Sequence, residues 1–220
     1  MKYYTIIVAG GSGSRMGSSI PKQFLELNSK PILMHTILKM QQSLPHSEII
    51  LALPQTEFDT WKDLCEVHQF SINHKLVAGG SSRFESVRNA LQSVTEKSVV
   101  AIHDGVRPLV KASVVTQCMQ MAKEKNAAIP VIDVEESLRQ KTKSGSMVVN
   151  RDDYLIVQTP QCFTSEVIVK AYQQKYSPSF TDDASVVEAM GLEIQLISGN
   201  KENIKITTPE DLKIVKMNMA

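Results

Sequence analysis

Apolar and polar residues alternate along the chain with two different periods. Short runs rich in Val, Ile and Leu, bounded by Gly, Pro and Asp, are typical of buried strands. The segments between them carry apolar residues at i, i+3 and i+4 spacing, which predicts amphipathic helices. The predicted strands are YTIIVA, EIILALP, HKLVAG, VVAIHDG and AAIPVID, and the predicted helices are PILMHTILKMQQ, TEFDTWKDLCEVHQF, SRFESVRNALQSV and ASVVTQCMQMAKEK. This alternation predicts an α/β fold with a mostly parallel, twisted sheet, helices on both faces and right-handed crossovers.

The alternation stops between Val134 and Gln158. The segment VEESLRQKTKSGSMVVNRDDYLIVQ has two strand-like pieces on either side of the polar turn KTKSGS, which predicts a protruding β-hairpin arm. An isolated hairpin is only marginally stable in water, so we expect the arm, about 134–158, to pack on a second subunit. No linker divides the chain, which predicts a single domain over 1–220 with this arm.

Beyond the arm, polar residues indicate where helices begin. Thr164 and Thr181 are predicted to be the N-caps of two helices, and the strand EIQLIS follows them. The last helix starts with TPED, which places Thr208 at the N-cap and Pro209 in the first helical position. Acidic side chains then occupy the first turn, where the helix dipole favours them.

Composition narrows the classes of function. The 220 residues include 24 Lys and Arg against 23 Asp and Glu, so the net charge of +1 predicts no general attraction to nucleic acid or membrane. The first apolar run, Tyr3–Ala9, is too short to span a bilayer and no cleavage site follows it; we expect a soluble, cytoplasmic protein. Cys65, Cys118 and Cys162 form no CxxC pair and the five histidines are scattered, which argues against a disulfide framework or a zinc site. The cysteines are predicted to be buried, small apolar residues.

A glycine-rich segment, VAGGSGSRMGSSIPKQFL, follows the first predicted strand. It lies at the carboxyl end of the sheet, where open α/β folds bind ligands. Gly10, Gly11 and Gly13 allow backbone N–H groups to approach phosphate oxygens closely. The spacing matches neither common phosphate fingerprint, because a dinucleotide loop requires glycine at Met16 and a P-loop requires lysine after Gly17.

Two cations belong to the same segment. Arg15 lies inside the loop and Lys22 follows Pro21. Together they suit negative charge that develops on phosphorus at a phosphate-sized site. Either cation taken singly is more often a solvated surface charge.

Polar residues also follow two further predicted strands. In AGGSSRFESVRNAL, glycines end a strand and Ser81 or Ser82 caps a helix, whose N-terminus suits an anion or a polar base edge. Taken by itself, this segment is better explained by ordinary helix capping. In AIHDGVRP, Asp104 suits a ribose hydroxyl or a hydrated Mg²⁺. His103 is a candidate base, but a hydrogen-bonded histidine at a strand end is the favoured interpretation.

A second polar group lies on predicted loops later in the chain. It comprises Arg151, Thr159, Thr181 with Asp182, and Lys205. The cations Arg151 and Lys205 suit an anionic second substrate. Helix caps and surface charges account for most of these residues equally well.

In order along the chain, VAGGSGSRMGSSIPKQFL, GGSSRFESVRNAL, HDGVRP, QTPQCF, FTDDASVVEAMG and GNKENIKITTPEDL resemble the 2-C-methyl-D-erythritol 4-phosphate cytidylyltransferases of the non-mevalonate isoprenoid pathway. The similarity extends nearly end to end. It implies a Rossmann-like, nucleotide-diphospho-sugar transferase-like fold. It also implies transfer of the cytidylyl group of CTP to 2-C-methyl-D-erythritol 4-phosphate, with release of pyrophosphate and a requirement for Mg²⁺. Similar enzymes are homodimers joined by arms.

The resemblance also implies roles for individual positions. Arg15 and Lys22 match a pair that stabilises the pentavalent phosphorus, and Arg151 and Lys205 match a pair that positions the methylerythritol phosphate. The positions that match cytidine binding are Ala9, Gly10, Gly11, Gly80, Ser86 and Asp104, and those that match the second substrate also include Arg107, Ser137, Thr159 and Thr181. Arg151 and Thr159 are implied to reach the partner subunit's site from the arm. The metal is expected mainly on the CTP phosphates, with Asp104 as a candidate ligand.

The chain departs from the usual family pattern in two places, and other functions compete with the implied one. HDGVR stands where many relatives have HDAAR, and VEESLR, which contains Ser137, stands where a form closer to DTIK is common. Ribitol 5-phosphate cytidylyltransferases share the loop, the lysine and QTPQ, although FTDDAS and the arm tip favour methylerythritol. A non-catalytic nucleotide-binding protein is disfavoured because Arg15 and Lys22 are both present. An NAD-dependent oxidoreductase is disfavoured by Met16.

Overall fold

The predicted strands and helices are present in the computed structural model of the chain, which describes residues 1–11 and 20–219. The strands are β1 (Lys2–Val8), β2 (Glu26–Leu27), β3 (Lys30–Pro31), β4 (Glu48–Leu53), β5 (Lys75–Ala78), β6 (Ser98–Asp104), β7 (Ala127–Asp133), β8 (Arg139–Thr142), β9 (Gly145–Val148), β10 (Leu155–Val157), β11 (Gln161–Thr164) and β12 (Gln195–Ser198). The helices are α1 (Ile32–Ser43), α2 (Phe58–Val67), α3 (Arg83–Leu91), α4 (Ala112–Lys125), α5 (Ser165–Ala171), α6 (Asp183–Glu188) and α7 (Pro209–Met217). Short 3₁₀ turns cover Lys22–Phe24, Gln55–Glu57 and Arg151–Asp153.

The main sheet is mostly parallel, as the alternation predicts. Its strands follow the order β5-β4-β1-β6-β11-β7, and β12 and β10 also pair with β7. The pairs β1–β4, β1–β6, β4–β5 and β7–β12 are parallel, whereas β11 is antiparallel to β6 and β7, and β10 is antiparallel to β7. Val8 at the end of β1 is level with Ala52 in β4 and with Asp104 in β6. The loops that follow these strands therefore meet at one edge of the sheet.

Helices cover both faces of the sheet, because successive side chains of each strand point to opposite sides. In β1, Tyr4 and Ile6 belong to one buried cluster and Ile7 belongs to another. The first cluster includes Phe84 of α3, and the second includes residues of α1 and α4. All seven residues of β6 are buried, which fits a central strand covered on both faces.

The predicted hairpin is present, but the last part of the predicted arm belongs to the main sheet. Strands β8 and β9 form an antiparallel pair, with Arg139 opposite Val148 and Thr142 opposite Gly145. Both strands are exposed along their whole length. By contrast, Leu155–Val157 pair with Asp133–Val131 of β7. The free hairpin is therefore shorter than 134–158.

The cysteines follow the sequence expectation in two of three cases. Cys118 and Cys162 are fully buried in the apolar core, whereas Cys65 is partly buried at its margin. All three are free thiols. In the described part of the chain, none of the helices combines the length and the apolar character that crossing a membrane requires.

The predicted caps are correct for α7 and wrong for α6. Thr208 accepts a hydrogen bond from Asp211 N, and Pro209 is the first helical residue. Thr164 occupies the cap position of α5 without a side-chain cap bond. For α6 the N-cap is Asp182, not Thr181: its side chain accepts from Ser185 N, and the Ser185 hydroxyl bonds back to the cap. The TDD sequence offers adjacent capping residues, and the geometry of the turn selects the second.

This difference gives a direct test by substitution. We expect Asp182→Ala to lower the free energy of unfolding by about 1–2 kcal/mol, because it removes the cap and the bond that Gln161 Nε2 donates to Asp182 Oδ2 at 2.8 Å. Thr181→Ala is the matched control and should change stability by less than about 0.5 kcal/mol. Urea unfolding at neutral pH measures both, and equal losses in the two variants would contradict the assignment.

Candidate active site

A cavity of about 420 Å³ opens at the carboxyl ends of the parallel strands. It lies between the end of β1, the loop before α3, the end of β6 and the segment that precedes α7. Several residues predicted from the sequence line it: Ala9, Gly10, Gly11, Lys22, Gly80, Ser86, Asp104 and Lys205. Residues from distant parts of the chain thus converge on one site, because parallel strands end at the same edge.

The loop before α3 requires glycine at its narrowest point. A Cβ atom added at Gly80 would lie 2.3 Å from Glu85 Cβ, so a side chain there would displace the loop. The Gly80 N–H donates to Ser86 Oγ at 3.0 Å, and the same hydroxyl donates to Ser82 O at 2.9 Å. Ser86 is 2% exposed. The Ser86 hydroxyl therefore fixes the shape of the wall between the strand and the helix.

Lys22 brings a cation to the end of the glycine-rich segment. It opens a 3₁₀ turn after Pro21, and its Nζ lies 3.5 Å from Ile206 O. A Cβ atom added at Gly11 would contact Lys22 Cε at 3.4 Å, so the lysine stem passes directly over the Gly11 backbone. The ammonium group consequently lies between Gly11 and the segment that precedes α7.

Asp104, at the end of β6, is the charged centre of the site. Its Oδ2 accepts from Arg107 Nε at 3.0 Å and is 3.1 Å from Lys205 Nζ, while its Oδ1 lies 3.6 Å from Arg83 Nε. The residue is 6% exposed. Burial raises the pKa of this carboxyl, but Arg83, Lys205 and Arg107 lower it by more, so its pKa lies well below the usual range. Asp104 is therefore ionised throughout the ordinary pH range.

His103 and Thr159 support Asp104 from inside the protein. The Thr159 hydroxyl accepts from Asp104 N at 3.1 Å and contacts His103 Nδ1 at 3.0 Å. His103 Nε2 is 3.1 Å from Arg107 O, and the ring is fully buried. Burial lowers the pKa of His103 from 6.5 to about 4. A neutral ring that donates from Nε2 and accepts at Nδ1 satisfies every contact, so His103 has a structural role.

Comparison with known proteins agrees with the resemblance found in the sequence motifs. A family model described as 2-C-methyl-D-erythritol 4-phosphate cytidylyltransferase matches residues 3–220. A protein of that name from Bacteroides thetaiotaomicron is 52% identical over 214 residues, which cover 97% of this chain and 98% of the relative. Another from Phocaeicola vulgatus is 52% identical over 217 residues, 99% of each. The chain belongs to this cytidylyltransferase family.

A solved structure of the family supports the fold as well. The crystal structure of 4-diphosphocytidyl-2C-methyl-D-erythritol synthase from Anaerococcus prevotii superposes with a TM-score of 0.84 at 26% identity, covering 99% of this chain and 96% of that one. The α/β architecture predicted from the sequence is thereby confirmed.

Some predicted residues lie apart from the cavity of this cytidylyltransferase family member. Arg107 lies behind Asp104, with its Nη1 donating to Asn203 O at 2.7 Å. Arg151, Ser137 and Thr181 are exposed and do not line the cavity. Gly13 and Arg15 fall outside the described residues.

Thr159 does not fit the expectation that it reaches the partner subunit's site from the arm. It is 5% exposed, and its hydroxyl accepts from Asp104 N and contacts His103 Nδ1 within its own chain. Its carbonyl also accepts from Asn203 Nδ2 at 2.8 Å. Thr159 therefore supports Asp104 from below the site, in the position where β11 begins beside β6.

Sequence reasoning missed two polar residues that line the cavity. Arg83 contacts Asp104, and Gln23 is 1% exposed with an Oε1 that has no hydrogen-bond partner among the described residues. The position of Arg83 in the sequence did indicate a special role. A cation in the first turn of a helix opposes the helix dipole, so it requires nearby carboxylates to offset the unfavourable interaction. Gln23 had a weaker signal, as a polar residue directly before the apolar pair Phe24–Leu25.

The buried histidine predicts a pH dependence of stability. In the unfolded chain His103 becomes protonated below about pH 6.5, whereas in the folded chain it becomes protonated only near pH 4. The free energy of unfolding therefore falls as the pH is lowered from 6.5 to 4. At roughly 1.4 kcal/mol per pKa unit, the contribution is about 3 kcal/mol.

His103→Gln should flatten this part of the stability profile, since the amide still donates to Arg107 O but does not titrate. Urea unfolding between pH 7 and pH 4 measures the effect. His46→Gln, on the exposed surface, is the control and should keep the wild-type slope. Identical slopes in all three proteins would refute the assignment.

Proposed function

We propose that this chain transfers the cytidylyl group of CTP to 2-C-methyl-D-erythritol 4-phosphate, giving 4-diphosphocytidyl-2-C-methyl-D-erythritol and pyrophosphate for isoprenoid precursor biosynthesis. The observation that carries the proposal is the cavity itself. It combines a glycine-lined wall, the Lys22 cation and the ionised Asp104 at the strand ends of a member of this family. Such a site suits a nucleotide, with the phosphates on the glycine side and the carboxylate facing either a ribose hydroxyl or the Mg²⁺ that the phosphates hold.

The reaction requires positioning more than proton transfer. A phosphate oxygen of the methylerythritol phosphate forms a bond to the α-phosphorus of CTP, while the bond from that phosphorus to the bridging oxygen breaks and pyrophosphate leaves. The second pKa of a phosphomonoester is about 6, so the nucleophile is already ionised near neutral pH. This agrees with a site in which the nearby histidine is buried and neutral.

Cations supply the stabilisation in this scheme. Lys22 and Arg15 neutralise charge that develops on the α-phosphate, as preorganised groups do in phosphoryl transfer. Lys205 and Arg151 receive the phosphate of the second substrate. Lys205 is suited to this because it is 41% exposed at the mouth of the cavity and already 3.1 Å from Asp104.

Mg²⁺ fits the site as a metal bound largely by the nucleotide. Among the described residues, no group of three or more His, Cys, Asp or Glu side chains is arranged to hold a metal ion. Asp104 is the one carboxylate among the described residues that line the cavity, so it would supply the protein ligand. A hydrated Mg²⁺ held by one carboxylate and by phosphate oxygens is a common arrangement, and the ion neutralises phosphate charge.

We also propose a homodimer formed through the arm and β10. The exposed apolar residues of this region are Met147, Val148, Tyr154, Leu155, Ile156 and Val157. Contiguous exposed apolar surface of this kind marks an interaction site. Arg151 lies within this region. In a dimer in which each arm packs on the other subunit, Arg151 lies close to the partner's cavity. The single-domain organisation over 1–220 and the cytoplasmic location stay predictions from the sequence.

One assay tests the reaction. Purified protein is incubated with CTP, Mg²⁺ and one alcohol phosphate, and pyrophosphate release is measured. We expect release with 2-C-methyl-D-erythritol 4-phosphate. Release only with ribitol 5-phosphate would assign the rival cytidylyltransferase activity, and release with neither, although CTP binds, would indicate a non-catalytic nucleotide-binding protein.

The lysine of the glycine-rich segment gives a second test. Lys22→Ala should lower kcat by roughly 10²-fold or more while CTP still binds, because the lost charge acts mainly on the transition state. Lys30→Ala removes an exposed lysine of β3, outside the cavity, and should retain wild-type turnover. Unchanged turnover in Lys22→Ala would remove this residue from the catalytic group.

The interface gives a third test. Size-exclusion chromatography with light scattering should give the mass of two chains for the wild-type protein. Ile156→Glu places a charge in the exposed apolar surface of β10, so we expect the mass of one chain and a large loss of turnover. Val67→Glu alters an exposed apolar residue at the end of α2 and should leave the dimer intact. A wild-type monomer at assay concentration would contradict the shared site.

A further inference from the structure

Arg83 occupies an unusual place for a cation. It is the first residue of α3, where the helix dipole disfavours positive charge, and its side chain lines the cavity while remaining about one quarter exposed. A charge kept in this position needs strong partners. The structure provides two carboxylates, on opposite sides of the same guanidinium group.

The first partner is Asp183, the first residue of α6. Arg83 Nη1 donates to its Oδ1 at 2.8 Å and Arg83 Nη2 donates to its Oδ2 at 2.6 Å, which is a bidentate pair. Asp183 is fully buried. Removing one partner of a buried ion pair is strongly destabilising, so Asp183 and Arg83 hold each other in place.

Tyr172 of the segment after α5 holds the same carboxylate from the other side. Its hydroxyl donates to Asp183 Oδ1 at 2.5 Å, and its ring stacks on Phe84 with the centroids 4.7 Å apart. Phe84 follows Arg83 in α3, so the aromatic contact and the ion pair join the same two parts of the chain. Tyr172 itself does not line the cavity.

The second partner is Asp104. Its Oδ1 lies 3.6 Å from Arg83 Nε, while Arg107 and Lys205 both contact Oδ2. Arg83 therefore acts on the side of the carboxylate opposite to those two cations. The two terminal nitrogens of the guanidinium group are held by Asp183, and the third, Nε, makes an ionic contact with Asp104. The compact ammonium group of lysine lacks the planar fork that pairs with Asp183 through two nitrogens while a third lies near Asp104.

We propose that Arg83 is a positioning residue for nucleotide binding: anchored on the buried Asp183 and Tyr172, it fixes the Asp104 carboxylate in the orientation that receives CTP. This inference rests on the proposed function, since it assigns Asp104 to the nucleotide. It adds Arg83, Asp183 and Tyr172 to the residues that determine CTP binding. Two of them, Asp183 and Tyr172, lie outside the lining of the cavity. Their effect on CTP passes through Arg83.

Steady-state kinetics and CTP calorimetry on three variants test the proposal. Arg83→Lys keeps the charge and should raise KM for CTP about tenfold, with the KM for the alcohol phosphate within twofold of wild type. Tyr172→Phe removes one hydroxyl, keeps the stacking on Phe84 and should raise KM for CTP about threefold. In the double variant, Tyr172→Phe should add nothing to the effect of Arg83→Lys, because neighbouring residues that act through one another are not additive.

A matched substitution in the same helix controls for the effect of replacing an arginine by lysine. Arg88→Lys changes an arginine one turn further along α3, outside the cavity, and should match the wild type. Multiplicative effects of the two substitutions on KM for CTP, or no effect of Arg83→Lys, would overturn the proposal. So would equal increases in the KM values of both substrates, which indicate a general disturbance of the fold.

Calorimetry separates this inference from the proposed function. If the wild-type protein releases no pyrophosphate but binds CTP, the proposed reaction fails. The dissociation constants of the variants for CTP then still follow the same pattern if Arg83 positions Asp104. If the wild-type protein does not bind CTP, both proposals are overturned.

Discussion

The site is organised around one buried carboxylate. Asp104 ends the central strand β6 and has almost no contact with solvent, so its charge is sustained by Arg83, Arg107 and Lys205. An unpaired buried charge would be severely destabilising, which makes these contacts a condition for the fold as well as for the site. They also bring together three segments distant in the sequence. The loop after β6, the start of α3 and the segment before α7 all contact the same carboxylate.

The architecture was predictable because it follows from local periodicity. Buried strands such as VVAIHDG and helices such as ASVVTQCMQMAKEK each show their own pattern, and parallel order then requires crossovers that cover both faces. The convergence of Gly10, Gly80 and Asp104 was predictable for the same reason, since each follows a parallel strand at a common edge. The end of the arm was not, because nothing in LIV distinguishes a strand of a hairpin from one that pairs with β7.

The contacts between individual residues of the site were harder to predict from the sequence. TDD contains three residues able to cap a helix, and their roles separate only when α6 is packed: Thr181 is exposed, Asp182 caps the helix and Asp183 turns inward to Arg83. Thr159 was expected beside the partner subunit's site, yet its hydroxyl lies beneath Asp104. These outcomes depend on contacts between residues separated by 55 or 100 positions, which no local pattern encodes.

The balance of charge around the cavity indicates which kind of ligand the cavity attracts. Asp104 and Asp183 are matched against Lys22, Arg83, Arg107 and Lys205, so the described ionised groups of this cluster leave an excess of two positive charges. Arg83 and Arg107 are committed, the first to two carboxylates and the second to Asp104 and a backbone carbonyl. Lys22 and Lys205 both line the cavity, and their flexible stems reach it from opposite ends of the sequence. A triphosphate and a second phosphate are the anions that such a pair would attract, while the arginines keep the carboxylate between them in place.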